Sequence, residues 1–296
     1  MARTRLTKNH KSRLRALLRG VKVVYTDLDN TLLGPGGSIF AAPDQSFSIK
    51  PAASLMKLLE SGVDVVIVSG RNVNQLREIS RLLGLRNYIS ELGCLVSYSA
   101  TREVIRNYDF PVPIDKTLHE AISASGAPAF LLKNFSDRLE YHEPWSENQT
   151  CTHLLRGRVD VETVNDMLQS SGFEGLRLVD NGGTRAGNLL LDQDKRVYHL
   201  LPKTTSKASA IRVDQINRDI KPEETIALGD SLADIEMAES VGAFFMVADG
   251  VSKNPRLKDK LNSRENTFLT SKNMGLGWSE VADLIVPSST SGEKNI

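Results

Sequence analysis

Between Val21 and Gly93 short apolar runs alternate with stretches of helical periodicity, and this alternation constrains the fold most strongly. The runs are Val23 to Tyr25, Val63 to Val68, and Tyr88 to Ser90. Residues 51–61 read as a helix, with Pro51 near its first turn and Leu55, Leu58 and Leu59 on one face. A second helical pattern runs from Asn72 to Leu83, with Leu76, Ile79, Leu82 and Leu83 at core spacing. Strand, helix, strand, helix, strand in that order predicts a doubly wound parallel sheet in an α/β fold. A strand without polar alternation is suited to burial on both faces.

The rhythm changes after Gly93. Cys94 to Tyr108 suits a β-hairpin, and from Pro111 to Leu201 strands and helices mix without parallel-sheet alternation. Candidate strands there are Ala129 to Lys133, Thr152 to Leu155, Leu176 to Val179 and Gly187 to Leu191; candidate helices are Ile114 to Ser123 and Val161 to Ser171. Such a mixture predicts an inserted α+β domain with a largely antiparallel sheet. The first rhythm returns with a helix over Thr205 to Ile216, strands at Thr225 to Leu228 and Ala243 to Val247, and a closing helix over Trp278 to Ile285. The expected organisation is a basic segment over 1–20, a core from 21–108 and 200–286, the insert over 109–199 and a disordered tail over 287–296.

At 296 residues, 40% hydrophobic and 25% charged, the chain has the composition of a globular protein with room for two domains. Its net charge of +1 gives no global attraction to nucleic acid or anionic membrane. The basic residues Arg3, Arg5, Lys8, Lys11, Arg13, Arg15, Arg19 and Lys22, with Leu14, Leu17 and Leu18 at helical spacing, read as a solvated basic face in preference to a nucleic-acid or membrane arm. Cys94 and Cys151, far apart and without a metal-ligand spacing, exclude a disulfide scaffold or a cysteine-built zinc site. No apolar run approaches the roughly 20 residues of a membrane span. With no apolar leader, the expected location is the cytoplasm.

The strand ends carry the chemistry. The first run stops at Asp27 and Asp29, the second at Ser69, Lys207 lies at a helix start, and the strand at Leu228 leads into Asp230 and Asp234. Parallel strands bring such ends to one edge of a sheet, where open α/β folds keep their ligands. Several carboxylates at one edge need a counter-charge, and with no histidine or cysteine cluster Mg²⁺ suits oxygen ligands best. A metal there would bring in an anionic substrate, and phosphate is the obvious candidate.

D-L-D-N-T, V-S-G-R, a following S-K and G-D-S-x-x-D, in this order on these elements, resemble the four motifs of the haloacid dehalogenase-like superfamily. The insert is similar to the α/β cap of its type IIB subgroup, which includes Cof-like, sucrose-phosphate and mannosyl-3-phosphoglycerate phosphatases. The resemblance implies Asp27 as a nucleophile that forms an aspartyl-phosphate and Asp29 as the general acid and base, its main-chain carbonyl also a metal ligand. It implies Thr31 as support for the turn behind the nucleophile. Ser69 and the Gly70 amide would hold the phosphoryl oxygens, with Arg71 beside them; an N-cap role for Ser69 is the bland alternative. Lys207 would neutralise the phosphoryl group, Lys203 being the competing choice in the same turn. Asp27, Asp29, Asp230 and Asp234 would hold Mg²⁺. Two departures stand out: Ala233 where many relatives carry asparagine, and Glu91-Leu92-Gly93 where many carry E-N-G.

Glu91, in the Y-I-S-E-L-G turn, and His153, Arg156, Asp180 and Asn181, in the insert, are candidates for substrate contact. A solvated arginine and a simple turn explain Arg156 and Asp180 to Gly183 as well. Tyr141, His142 and Trp145 offer either a sugar-stacking surface or a small cap core. The expected function is a Mg²⁺-dependent phosphomonoester hydrolase acting on a phosphorylated sugar or glycosyl-phosphoglycerate-like small molecule. A sugar phosphomutase with the same aspartyl-phosphate chemistry and a non-catalytic binding module are the alternatives. Neither membrane nor nucleic acid is an expected partner, and a monomer or homodimer is the expected state.

Overall fold

A computed structural model describes residues 14–183 and 195–287. The basic residues up to Arg13, the candidate strand Gly187 to Leu191 and the tail from residue 288 onward lie outside the described residues. In chain order the strands are β1 (Val23–Thr26), β2 (Asp64–Val68), β3 (Asn87–Ser90), β4 (Leu95–Tyr98), β5 (Glu103–Arg106) and β6 (Leu139–Tyr141). They continue with β7 (His153–Gly157), β8 (Leu176–Gly183), β9 (Arg196–Pro202), β10 (Thr225–Gly229), β11 (Ala243–Met246) and β12 (Thr267–Leu269). The chain divides into two compact units: residues up to Val65 with Lys221–Asp230 and Val241 onward, and Val66–Ile220 with Ser231–Ser240.

In the first unit β12, β11, β10 and β1 lie side by side in that order, all parallel. Every residue of β1, β10 and β11 is buried, as expected of parallel strands covered on both faces. The helices Lys50–Glu60 and Met274–Ile285 pack together and are joined by Lys50 Nζ to Asp283 Oδ2 at 2.8 Å. From the second of them the buried Trp278 donates Nε1–H to Thr26 Oγ1 at 3.0 Å. That hydroxyl donates in turn to the Asp27 carbonyl at 2.7 Å, so the end of β1 is braced from behind. Residues 14–18 are helical; Leu14 and Leu18 are buried, whereas Leu17 and the basic Arg15 and Arg19 are exposed.

In the second unit β2 pairs with β3 in parallel, and β3, β4 and β5 continue antiparallel, with β4 and β5 forming the expected hairpin. A separate antiparallel sheet follows, in the order β6-β7-β9-β8. One of its faces packs Leu155, Leu178, Tyr198 and Leu200 with Leu118, Ile122, Leu131, Val164 and Leu168 from the neighbouring helices.

Two expectations are corrected. Ala129 to Lys133 is not a strand; Ala127–Asn134 is a helix with a proline in its first turn and Ala127 and Leu131 buried one turn apart. Its apolar run is too short for its period to be read. The helix expected from Ile114 starts at Leu118, because the Thr117 hydroxyl and the Glu120 carboxylate close a capping box there. Three strands, β6, β9 and β12, are additions to the sequence reading.

Candidate active site

In the first unit, β1 and β10 end together: Thr26 stands opposite Leu228, and Asp27 N–H donates to Leu228 O at 2.9 Å. The chain leaves these neighbouring ends as Asp27 and Asp230, whose carboxylates offer oxygens within 4.8 Å of each other. Asp27 is buried, and its Oδ2 accepts from Thr31 Oγ1 at 3.0 Å. Leu28 O accepts from the amides of Leu32 at 3.1 Å and Leu33 at 2.9 Å, and Asn30 takes a left-handed φ of 60°. The D-L-D-N-T turn thereby places the half-buried Asp29 beyond the strand end. Lys253, which sequence reasoning did not single out, lies 4.0 Å from Asp230 and 2.7 Å from Asp249.

Two carboxylates so close repel unless a cation or a shared proton separates them. Their oxygens suit a hard divalent ion.

In the second unit Lys207 Nζ lies 2.6 Å from Asp234 Oδ1, both side chains buried. The other oxygen of Asp234 accepts from Ser231 N at 2.8 Å and Ser231 Oγ at 2.6 Å, which closes the turn that follows Asp230. Ser206 caps the helix Lys207–Asn217 by accepting from Ser209 N at 3.0 Å, and this sets Lys207 in the first helical position. Lys203, the competing lysine, is exposed. Ser69 is buried and its hydroxyl accepts from Arg71 N at 3.3 Å; the half-buried Arg71 follows. The N-cap of the helix Val73–Leu83 is Asn72, so the capping alternative for Ser69 is set aside.

Several of the substrate candidates engage partners within the protein. Glu91 is fully buried, and its carboxylate accepts from Thr150 N and Oγ1, Cys151 N and Thr152 N at 2.8–3.0 Å. It anchors the segment entering β7. Arg156 is also buried, donating to Glu140 Oε1 at 2.8 Å and to Glu143 O at 3.2 Å. Asp180 accepts from Arg196 Nε and from Gly182 N. His153 lies in the interior, its ring stacked on His119 at 3.8 Å and its Nδ1 3.1 Å from Tyr141 OH. His142 is buried and Trp145 half exposed.

Asn181 does come to the turn at Gly70. A methyl group built on Gly70 would lie 2.6 Å from Asn181 Nδ2 and 2.7 Å from His199 Nε2, so both cap side chains rest on the Gly70 backbone. His199 was missed because β9 was not read as a strand; within V-Y-H-L-L it is the polar residue of an apolar run. Burial, then the charges of Lys207 and His142, lower His199 to about 3. Burial and the neighbouring Arg156 lower His142 to about 4, although Glu140 opposes this.

Residues 24–166 and 187–261 match the profile of the haloacid dehalogenase-like hydrolases. The chain is 24% identical over 239 residues to a phosphoglycolate phosphatase of Metallosphaera sedula, covering 80% of this chain and 89% of that one. It is 24% identical over 276 residues to phosphoglycolate phosphatase 1 of Saccharolobus solfataricus, covering 93% of this chain and all of the other. The crystal structure of the sucrose-phosphatase from Synechocystis with sucrose and phosphate superposes with a TM-score of 0.60 at 16% identity, covering 90% and 98% of the two chains. At that identity the superposition speaks to the fold alone.

Proposed function

The chain belongs to the haloacid dehalogenase-like hydrolase family and is a phosphatase, and we propose that it hydrolyses phosphate monoesters of small metabolites through an aspartyl-phosphate on Asp27. The observation that carries this reading is the adjacent ending of β1 and β10 in Asp27 and Asp230, with carboxylate oxygens within 4.8 Å. Such a pair is useful at a site built for a cation and an anionic substrate.

In the proposed reaction an Asp27 oxygen attacks phosphorus, while Asp29 gives a proton to the departing alkoxide and later takes one from the attacking water. Ser69 and the Gly70 amide hold the phosphoryl oxygens, and Lys207 offsets their charge. The Lys207–Asp234 ion pair keeps that ammonium in place. Asp27 and Asp230, with the Asp29 carbonyl and Asp234, would hold Mg²⁺. The ion would supply charge neutralisation at the phosphoryl oxygens.

For the substrate, the curated relatives are phosphoglycolate phosphatases and the superposed structure is a sucrose-phosphatase. A phosphorylated sugar or hydroxy acid, including glycosyl-phosphoglycerate-like esters, is the proposed class, with the antiparallel sheet as the cap that selects it. Phosphate release from a panel of phosphorylated metabolites, with Mg²⁺ and then with chelator, tests the reading. Release with Mg²⁺ and without a bisphosphate activator is the expected result; a bisphosphate requirement would indicate a mutase, and no release would refute it.

A further inference from the structure

The four-stranded sheet has two unlike faces. β7, β9 and β8 bring Leu154, His199 and Val179 abreast, on the face opposite that of their neighbours Leu155, Tyr198 and Leu178, and Val179 joins those three in the apolar core at the sheet. His199 is turned away from Leu155, Tyr198 and Leu178, yet it is only 1% exposed.

Its ring is held at one end. Nδ1 lies 3.0 Å from Thr152 Oγ1, and Glu91 fixes Thr152 by accepting from its amide at 2.8 Å. Nε2 points to Gly70 and has no hydrogen-bond partner among the described residues. Asn181 Nδ2 reaches the same turn. A second buried histidine on the sheet, His142, has an Nδ1 that is likewise without a partner among the described residues. Buried polar atoms are nearly always paired, because each one left bare costs about 1–3 kcal/mol. A histidine nitrogen without a partner among the described residues, set against the Gly70 turn, leaves a hydrogen bond for a ligand to complete.

On the reading that Ser69 and Gly70 bind the phosphoryl group, we propose that His199 is a specificity-determining residue that touches the substrate through Nε2, with Thr152 as its positioning residue. The substrate atom it meets is an oxygen of the leaving group close to the ester, since Nε2 lies against the Gly70 backbone. The selected class is phosphate esters that carry a hydroxyl or carboxylate one carbon beyond the ester carbon. The low pKa of His199, about 3, keeps the ring neutral, so the contact is a neutral hydrogen bond and not an ion pair. A site that uses a buried hydrogen bond rejects an analogue that lacks the partner.

The test compares phosphoglycolate, 2-hydroxyethyl phosphate and ethyl phosphate, which share a two-carbon skeleton and separate carboxylate, hydroxyl and neither. For the wild type, kcat/KM for one of the first two exceeds that for ethyl phosphate by about 30-fold or more. His199→Leu collapses that ratio to within about threefold of unity; His199→Gln serves if the leucine variant fails to fold. Thr152→Val lowers the ratio by about tenfold and Thr152→Ser restores it, a pattern that a purely structural role for the hydroxyl would not produce. A ratio unchanged in folded His199 variants, or equal losses on all three esters, would overturn the assignment while leaving the phosphatase reading intact. No phosphate release from any ester by the wild type would overturn both.

Discussion

Lys207 Nζ and Asp234 Oδ1 lie 2.6 Å apart, and the side chains are each 1% exposed. Removing one member of such a pair strips a buried charge of its partner, which costs about 3–5 kcal/mol. Lys207→Met is expected to lower the melting temperature strongly and to abolish turnover. Lys207→Met with Asp234→Asn removes both charges and is expected to recover much of the stability without recovering activity. Thermal melts of the two variants alongside phosphate release check both parts.

Gly70→Ala places a methyl group 2.6 Å from Asn181 Nδ2 and 2.7 Å from His199 Nε2. These are the ends of side chains and not backbone, so they can move, and the stability cost is expected to stay below about 2 kcal/mol. Their displacement carries them away from the Gly70 turn, which is proposed to hold the phosphoryl group. The expected result is a rise in KM of about tenfold with a melting curve near that of the wild type, measured by steady-state kinetics and calorimetry.

Glu91→Gln tests the anchor role against the substrate role expected from the sequence. The carboxylate accepts from the amides of Thr150, Cys151 and Thr152, and an amide group in its place would direct N–H at N–H. A loss of about 2–4 kcal/mol in urea unfolding is expected. A substitution at a substrate contact would instead leave the urea midpoint unmoved and raise KM.

Burial, as the leading cause, depresses three cap histidines below their ordinary value of 6.5: His142 and His153 to about 4 and His199 to about 3. In the unfolded chain they would bind protons near pH 6.5, so below that value the unfolded state holds more protons than the folded one. Stability is therefore fully present above pH 6.5 and is lost as the pH falls from there to about 4 for His142 and His153 and to about 3 for His199. Each neutral histidine contributes up to about 1.4 kcal/mol per pH unit over that window. Urea midpoints measured from pH 7.5 to 4.5 should fall, and His153→Phe should flatten the slope.

How much of this was legible in the sequence follows from the range of the interactions. The parallel strands, and with them the placement of Asp27 and Asp230 at neighbouring strand ends, were readable because each depends on a short run ending in a polar group. The internal partners of Glu91 and Arg156, Thr150 to Thr152 and Glu140, were not readable because they are set by pairing between segments that no local pattern links. His199 went unnoticed for the same reason: its meaning lies in the Gly70 turn, remote in sequence. Ala129 to Lys133 was misread because a short apolar run has no distinguishable period.

The central claim is that Asp27 is the nucleophile. Asp27→Asn keeps the size of the side chain and its contact with Thr31 while removing the attacking charge. Phosphate release from an aryl phosphate in Mg²⁺ is the direct measurement, with circular dichroism to confirm folding. The expected result is a folded variant whose turnover falls by about a thousandfold or more. Hydrolysis at the wild-type rate by that variant would contradict the account.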